Sequence, residues 1–252
     1  MHINLTGQHI LVTGASRGIG KAIALKLIET GAKVAIHYSQ HQQSAQEIVK
    51  AYPEHAVAFQ ADLANPQEVV GLFEAVIKAF GKLDVLVNNA GIAISSAMTK
   101  DDQLWLKDWE LTMAVNLSAT GLLCKKSITH FLTHQSGRII NITSRAAFRG
   151  DTAEYIAYAA SKGGMVALTR SIARAYGKQG IKAFNIAPGF TRTDMARSFI
   201  DQYGELYAMN DIALDRLTEP EDIAPLVVFL ASGWADHATG ATIDINAASY
   251  VH

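Results

Sequence analysis

The chain has 252 residues, of which 49% are hydrophobic and 18% are charged, and its formal net charge is −1 at pH 7. A chain of this length buries enough apolar surface to fold without covalent staples, and its one cysteine, Cys124, excludes an internal disulfide. The near-zero charge and the lack of a dense Lys/Arg run disfavour nucleic acid or an anionic membrane as the main partner.

The N-terminus enters an apolar run directly, without the charged segment and apolar stretch of a signal peptide. No run approaches the ~18 apolar residues that a membrane span needs. We therefore expect a cytoplasmic protein without a membrane partner, folded as a single domain over residues 1–252.

A glycine-rich turn joins the first predicted strand to the first predicted helix. The apolar run 8–12 predicts a buried strand, 21–30 a helix that ends before Gly31, and 33–38 a second strand. The turn between the first two has the sequence TGASRGIG. A strand, glycine turn, helix and strand within ~30 residues is the arrangement that binds dinucleotides.

Each glycine of this turn has a physical role in dinucleotide binding. Gly14 permits the tight turn, Gly18 lets the backbone approach a pyrophosphate, and Gly20 lets helix and strand pack closely. The helix N-terminus supplies free N–H groups and a positive potential for phosphates. Glycines also occur in turns that bind nothing, so the turn alone leaves a purely structural role open.

Strands and helices continue to alternate towards the C-terminus. Further strands are predicted at 57–60, 83–87, 138–143, 181–187 and 242–245. Further helices are predicted at 42–51, 66–80, 101–133 (with a break near 112–116), 155–176 and 219–232. Seven apolar strands alternating with helices indicate an α/β fold, a Rossmann-type doubly wound parallel sheet with helices on both faces. Ligands of such sheets bind at the carboxyl ends of the strands.

Tyr158 and Lys162 are four residues apart in the predicted helix 155–176, and they therefore share one helix face. A nearby ammonium favours the phenolate and lowers the tyrosine pKa from its reference value of about 10. Such a phenol is a usable general acid or base near neutral pH. A surface pair without chemistry is the competing interpretation of these two residues alone.

Taken together, the motifs resemble the short-chain dehydrogenase/reductase family, most closely its bacterial 3-oxoacyl-thioester (3-oxoacyl-ACP) reductases. The resemblance covers the chain from Gly7 to about Val251. The motifs that carry it, in the family's order, are TGASRGIG, NNAG at 88–91, Asn116, Ser144, Tyr158-x-x-x-Lys162 and the segment Pro188-Gly189-Phe190-Thr191-Arg192-Thr193.

The resemblance implies catalytic roles for four residues. Tyr158 would protonate the carbonyl oxygen as hydride arrives, and Lys162 would lower its pKa and hold the nicotinamide ribose. Ser144 would orient the substrate oxygen, and Asn116 would hold a helix irregularity and a water that links Lys162 to solvent. The competing interpretations are a strand-end hydroxyl that satisfies backbone for Ser144 and a polar patch on a kink for Asn116.

The resemblance also implies a cofactor site at the strand ends. The expected cofactor-binding residues are Gly14, Ser16, Arg17, Gly18, Ile19, Gly20, Ser39, Asp62, Leu63, Asn88, Ala90, Gly91, Tyr158, Lys162, Pro188, Gly189 and Thr193. Asp62 would accept a hydrogen bond from the adenine amino group, unless it is only a loop or N-cap residue. Thr193 would meet the carboxamide or phosphates, unless it caps the helix expected near Asp194.

NADP(H) is predicted as the preferred cofactor over NAD(H). Enzymes that prefer NAD usually carry an acid after the second strand, where it binds the ribose 2′-hydroxyl. Here the strand runs into Ser39, and Arg17 of the glycine turn offers a cation to a 2′-phosphate.

The expected substrate is a small-molecule carbonyl or alcohol, such as an acyl thioester, and residues 190–217 are expected to form a lid over it. The apolar lid residues are Phe190, Met195, Phe199, Tyr203, Tyr207 and Met209. Gln135 and Gln179 stand where carrier-protein reductases carry basic residues, which weakens the case for a carrier-bound substrate. A dehydrogenase of a steroid, sugar or other small alcohol, and a non-catalytic nucleotide sensor of the same fold, are the alternatives.

Two features depart from the closest relatives. The segment 145–151 makes the interval from Ser144 to Tyr158 one residue longer than expected, and its arginines would either meet an anionic substrate or pair with Asp151 or Glu154. Tyr155 lies seven residues before Lys162, the spacing of enoyl reductases, but the intact glycine turn and NNAG favour Tyr158 as the catalytic residue.

Family members usually form tetramers, and a homotetramer is expected. The predicted helices 101–133 and 155–176 would pair with symmetry mates through Leu122, Leu123, Met165 and Leu168, which core packing explains equally well. No metal site is expected: His130 and His134 share a helix face but lack a carboxylate or a third ligand.

Overall fold

The computed structural model describes residues 3–194, 196, 204 and 208–251, and its centre is a seven-stranded parallel sheet. The strands are β1 His9–Val12, β2 Lys33–Tyr38, β3 Ala56–Gln60, β4 Val85–Asn88, β5 Gly137–Ile142, β6 Ile181–Pro188 and β7 Thr242–Ile245. The α-helices of the described residues are α1 Gly18–Glu29, α2 Gln42–Ala51, α3 Pro66–Phe80, α4 Asp102–Met113, α5 Ala119–His134, α6 Ala146–Arg149, α7 Ile156–Tyr176 and α8 Pro220–Ala231. The order β3-β2-β1-β4-β5-β6-β7, with every pair parallel, confirms the predicted fold class.

The sheet is covered on both faces because its central strands are apolar without alternation. Ile10 and Val12 of β1 belong to an apolar cluster with residues of α1, α2 and α8. Leu11, between them, belongs to a second cluster with residues of α3, α5 and α7. Successive side chains of a strand point to opposite faces, so one strand contributes to both cores.

The strand order reverses beside β1, which pairs with β2 on one side and β4 on the other. At such a switch point the connecting segments leave in opposite directions and open a crevice outside the carboxyl ends of the strands. The glycine turn follows β1 and the sequence NNAG begins at the end of β4. Both motifs therefore lie at this crevice.

Several predicted elements differ in detail from the observed ones. The break expected near 112–116 is a π-helical turn, Ala114–Ser118, which joins α4 to α5 without interrupting the helical path. The short helix α6 was not expected, because four residues are too few for a periodic pattern. None of the helices within the described residues is long and apolar enough to cross a membrane.

Candidate active site

The glycine turn is held tightly against its surroundings. Gly14 has φ +63°, a left-handed conformation that favours glycine, and its N–H donates to Nδ1 of His37 at 3.0 Å. A Cβ at Gly14 would lie 3.0 Å from Cα of Ala90, and one at Gly20 would collide with the carbonyl oxygen of Gly14. Larger residues therefore do not fit at Gly14 or Gly20.

The N-terminus of α1 lacks the groups that usually satisfy a helix start. Its N-cap, Arg17, makes no side-chain capping bond, and its first turn contains no acidic residue. By contrast, Asn65 and Asp101 cap α3 and α4 with their side chains. A helix start with free N–H groups beside a glycine turn fits an anionic ligand such as a pyrophosphate.

Three residues that are not among the predicted cofactor-binding residues support the turn, and two of them, Thr13 and Asn89, belong to the quoted motifs. Nδ2 of Asn89 donates to the carbonyl oxygens of Thr13 and Gly14 at 2.8 and 3.2 Å, and Oγ1 of Thr13 accepts from the N–H groups of Asn89 and Ala90. His37 is buried, and burial lowers its pKa to about 4, so it is neutral and accepts from Gly14. Polar residues at apolar strand ends were the available signal.

Residues from the segment after β6 close the other side of the turn. The nearest atom to a Cβ built on Gly18 is Cγ2 of Thr193, at 3.4 Å, so Thr193 lies against the predicted phosphate site. Arg17 pairs with Asp194 at 3.1 Å, and both side chains are about half exposed. A phosphate that bound Arg17 would therefore compete with a carboxylate.

The π-helical turn presents Asn116 to the crevice. Its side chain is fully buried, accepts from the N–H of Ile92 at 2.8 Å, and donates to the carbonyl of Ile92 at 2.9 Å and to Oγ of Ser161 at 3.0 Å. A Cβ on Gly91 would lie 3.3 Å from both Oδ1 of Asn116 and Nζ of Lys162. The predicted helix irregularity is thus confirmed, and it lies beside Lys162.

Ser144, Tyr158 and Lys162 come together where β5 ends and α7 begins. Nζ of Lys162 donates to the carbonyl of Ile142 at 2.9 Å and lies 5.7 Å from the centroid of the Tyr158 ring. Ser144 follows β5 by two positions, and its hydroxyl is close enough to the Tyr158 phenol to lower the pKa of that phenol. The predicted phenol, ammonium and hydroxyl therefore occupy one site.

The pKa values of this site differ from the sequence expectation. Burial removes water from the Tyr158 phenol and raises its pKa, while the nearby Ser144 hydroxyl lowers it by a smaller amount. Burial also lowers the pKa of Lys162 from its ordinary 10.5 to about 8. The expected lowering of the tyrosine pKa is therefore wrong for this structure, because the largest influence on the phenol is its own burial, which favours the neutral form.

The predicted cofactor residues outside the turn have mixed surroundings. Asp62 is exposed and accepts from the N–H of Ala64 at 2.9 Å, so it shapes its own loop, and the N-cap of α3 is Asn65. Leu63 is buried in the core and offers only its backbone. Ser39 is exposed just beyond β2.

Other predicted cofactor-binding residues lie at the ends of β4 and β6 and contact neighbouring segments. Nδ2 of Asn88 donates to Oδ1 of Asn141 at 2.8 Å inside the protein, which leaves its backbone at the crevice. Pro188 ends β6 and Gly189 follows it, and a Cβ on Gly189 would lie 2.7 Å from Cα of Asn246. The remaining predicted cofactor residues, Ser16 and Ile19, lie within the glycine turn and the first turn of α1.

The segment 145–151 and the lid have partners that the sequence did not predict. Arg145 and Arg149 both pair with Asp211, rather than with Asp151 or Glu154. Of the predicted lid residues, Phe190 and Met209 are described, whereas Met195, Phe199, Tyr203 and Tyr207 lie outside the described residues. The described part of the chain contains no group of three or more His, Cys, Asp or Glu side chains that could hold a metal ion.

Comparisons with known proteins agree with this geometry. A family model described as enoyl-(acyl carrier protein) reductase matches residues 14–247. A 3-oxoacyl-[acyl-carrier-protein] reductase of Synechocystis sp. is 38% identical over 247 residues, covering 96% of each chain. The chain belongs to the short-chain dehydrogenase/reductase family. A reductase of the same name from Staphylococcus aureus is 37% identical over 244 residues, covering 96% of this chain and 97% of its own.

Solved structures of other proteins share the whole architecture. A dehydrogenase/reductase from Sinorhizobium meliloti superimposes with a TM-score of 0.91 at 34% identity, covering 99% of this chain and 98% of its own. A blue fluorescent protein from a metagenomic library, in complex with NADPH, gives a TM-score of 0.90 at 35% identity, covering 98% of this chain and 100% of its own. As a member of this family, the protein is an NAD(P)-dependent oxidoreductase.

Proposed function

We propose that this protein interconverts a ketone and a secondary alcohol with NADP(H), and that its substrate is a 3-oxoacyl thioester or a related small carbonyl compound. The observation that carries the proposal is the meeting of Ser144, Tyr158 and Lys162 beside a crevice whose glycine turn fits a pyrophosphate. The names of the reductases that it resembles support the substrate class.

The chain's own residues would position the substrate and move a proton. Ser144 would donate a hydrogen bond to the carbonyl oxygen, and the Tyr158 hydroxyl would give that oxygen its proton. Lys162 would stabilise the resulting phenolate through its positive charge. The bound nicotinamide supplies or accepts the hydride. Asn116 accepts a hydrogen bond from the N–H of Ile92 and lies near Lys162. It would hold the water through which Lys162 receives a new proton from solvent.

The cofactor would lie along the crevice at the carboxyl ends of β1 and β4. The free N–H groups at the start of α1 would hold its pyrophosphate, and Thr193 would contact it from the opposite side. Asp62 and the backbone at Asn88, Ala90 and Gly91 would line the adenosine.

Selectivity for NADP(H) would come from Arg17 and Ser39, since β2 is not followed by an acid that would repel a 2′-phosphate. We expect kcat/KM for NADPH to exceed that for NADH by ~10-fold or more. A single charge-assisted hydrogen bond between Arg17 and the 2′-phosphate is strong enough to produce a ratio of that size. The comparison is made by following nicotinamide absorbance with one ketone, and an equal value or a preference for NADH would contradict this assignment.

The proposed reaction is tested by offering simple ketones and 3-oxoacyl thioesters to the enzyme with NADPH. We expect Tyr158→Phe to lose at least ~10³-fold in kcat, because the proton donor is removed. Tyr155→Phe is the matched control and should retain activity. No turnover of any carbonyl compound, together with tight cofactor binding, would instead favour a nucleotide sensor.

Enoyl reduction is a second candidate, because the matching family model carries that description. The structure weighs against Tyr155 as its proton donor: Tyr155 ends a 3₁₀ turn before α7, whereas the ring in contact with Lys162 is that of Tyr158. Reduction of an enoyl thioester that Tyr155→Phe abolishes and Tyr158→Phe leaves intact would reverse this assignment.

We also propose that the protein is a homotetramer built through α4, α5 and α7. Of the four apolar residues first expected at that interface, Leu123 and Met165 are buried within the chain and pack its core. The exposed apolar residues of α4 are better candidates, notably Leu104 and Leu111. A cytoplasmic location stays a prediction from the sequence.

A further inference from the structure

Two arginines that follow Ser144 share one distant carboxylate. Nη1 of Arg145 and Nη1 of Arg149 each donate to Oδ2 of Asp211 at 2.7 Å, across sequence separations of 66 and 62 residues. The Arg145 side chain is 16% exposed, whereas Arg149 and Asp211 are 39% and 46% exposed, so only the Arg145 end of the bridge is shielded from water. It fastens the segment after Ser144 to the segment before α8.

Helix α6 depends on outside support. It has only four residues, far fewer than an isolated helix needs. Arg145 is its N-cap and Arg149 its last residue, so two like charges four positions apart repel each other. Arg145 also stands at the positive end of the helix dipole. The Asp211 carboxylate between the two guanidinium groups offsets both effects.

Helix α6 in turn fixes the Ser144 hydroxyl. The N–H of Ala146 donates to Oγ of Ser144 at 3.1 Å, and the N–H of Ala147 donates to the Ser144 carbonyl at 3.0 Å. Because Oγ accepts from the backbone, its own proton is directed elsewhere, towards Tyr158 and a substrate oxygen. The N–H of Arg145 donates to the carbonyl of Pro188, which holds this turn against β6.

We infer that Asp211 is a positioning residue for catalysis: by bridging Arg145 and Arg149 it holds α6, and through α6 it sets the direction of the Ser144 hydroxyl. The inference rests on the proposed function, since it assigns Asp211 a part in the same carbonyl chemistry. The inference also assigns a function to the longer interval between Ser144 and Tyr158, because α6 lies within that interval.

The test compares three variants. Asp211→Asn removes the charge, Asp211→Glu restores it, and Glu29→Gln makes the same change at the exposed Lys26–Glu29 pair on α1. We expect Asp211→Asn to lower kcat/KM for the ketone by ~10-fold, because the Ser144 hydroxyl would no longer be held in the position that the reaction requires. The NADPH dissociation constant should stay within about twofold. Asp211→Glu should recover most of the loss, and Glu29→Gln should behave as wild type.

The pH profile of alcohol oxidation separates positioning from simple stability. Oxidation needs the Tyr158 phenolate, so its rate rises with pH through the Tyr158 pKa. The nearby Ser144 hydroxyl lowers that pKa, so a misdirected Ser144 moves the midpoint to higher pH. A variant that only unfolds more easily would lose amplitude without this shift. Unchanged kcat/KM and an unchanged midpoint in Asp211→Asn would overturn the inference.

Failure of the proposed function gives a different result. If the wild-type enzyme reduces no carbonyl compound, the reaction assignment fails, whereas the hold of Asp211 on α6 is still measured by amide hydrogen exchange. The reporting amides are those of Arg149 and Gly150, which donate to the carbonyls of Arg145 and Ala146. Faster exchange in Asp211→Asn than in Glu29→Gln supports the bridge, and equal exchange refutes it.

Discussion

Lys162 carries a charge in a place where charge is costly. Its side chain is 3% exposed, and its ammonium donates to a backbone carbonyl, that of Ile142, rather than to a carboxylate. Burial lowers its pKa to about 8, which means that the folded protein holds the proton less firmly than the unfolded chain does. Such a residue lowers the stability of the fold, which fits the proposed part of Lys162 in the chemistry.

We therefore predict that Lys162→Met inactivates the enzyme and stabilises the ligand-free protein, raising its melting temperature at pH 7 by of order 5 °C. Below pH 8 wild-type Lys162 is charged in both states and bears the full burial cost. Above about pH 10.5 it is neutral in both, so wild type gains on the variant as pH rises between these values. Thermal melts across this range, with exposed Lys50→Met as control, check the prediction. A less stable Lys162→Met at pH 7 would contradict it.

At the scale of elements, the irregular segments were the least predictable. The π-helical turn around Asn116 is invisible to periodicity, because it adds a residue to a helix without ending it. A break was predicted near 112–116, and the family resemblance implied an irregularity held by Asn116, but neither indicated a π-helical turn. Helix α6 was missed because its support comes from Asp211, more than sixty residues away. The long helices and strands, by contrast, follow from local apolar patterns, and α2 and α3 begin and end as predicted.

The turn after β7 is another irregular element, and it is strained. Ala247 and Ala248 have φ of +50° and +57°, the left-handed region that glycine adopts more readily. The carbonyl of Ala247 accepts from the N–H of Ala213, so the turn is held in place despite its strain.

We predict that Ala248→Gly stabilises the protein by ~0.5–1 kcal/mol, because the relieved strain exceeds the extra chain entropy of glycine. The measurement is chemical denaturation. Ala75→Gly, at an exposed position inside α3, should destabilise by about 1 kcal/mol. A loss of stability in both variants would show that the turn is not strained.

At the scale of the whole molecule, the sheet and the apolar layers on its two faces place the site at the crevice beside β1. Outside these layers, α4 exposes apolar side chains to solvent. Leu104 and Leu111 are 53% and 39% exposed and lie seven residues apart, on the same face of α4. Exposed apolar groups that share a helix face mark a contact surface more often than isolated ones do.

We predict that Leu104→Glu combined with Leu111→Glu prevents assembly of the proposed tetramer, because charges do not pack in an apolar interface. Sedimentation velocity should show a smaller species, while Val57→Glu, at an exposed position of edge strand β3, keeps the wild-type size. A wild-type protein that sediments as a monomer would exclude the proposed assembly.

The sequence alone determined the fold class and the glycine turn and placed Tyr158 and Lys162 on one helix face, because apolar periodicity and residue spacing are local properties of the chain. Ser144 was a candidate only through the family resemblance. The sequence could also favour Tyr158 over Tyr155, since the intact glycine turn and NNAG accompany the spacing of four residues between Tyr158 and Lys162. Only the tertiary structure showed that Asp211 joins the two arginines and that desolvation governs the pKa of the phenol. Both depend on contacts between distant segments and on burial, which no local pattern encodes.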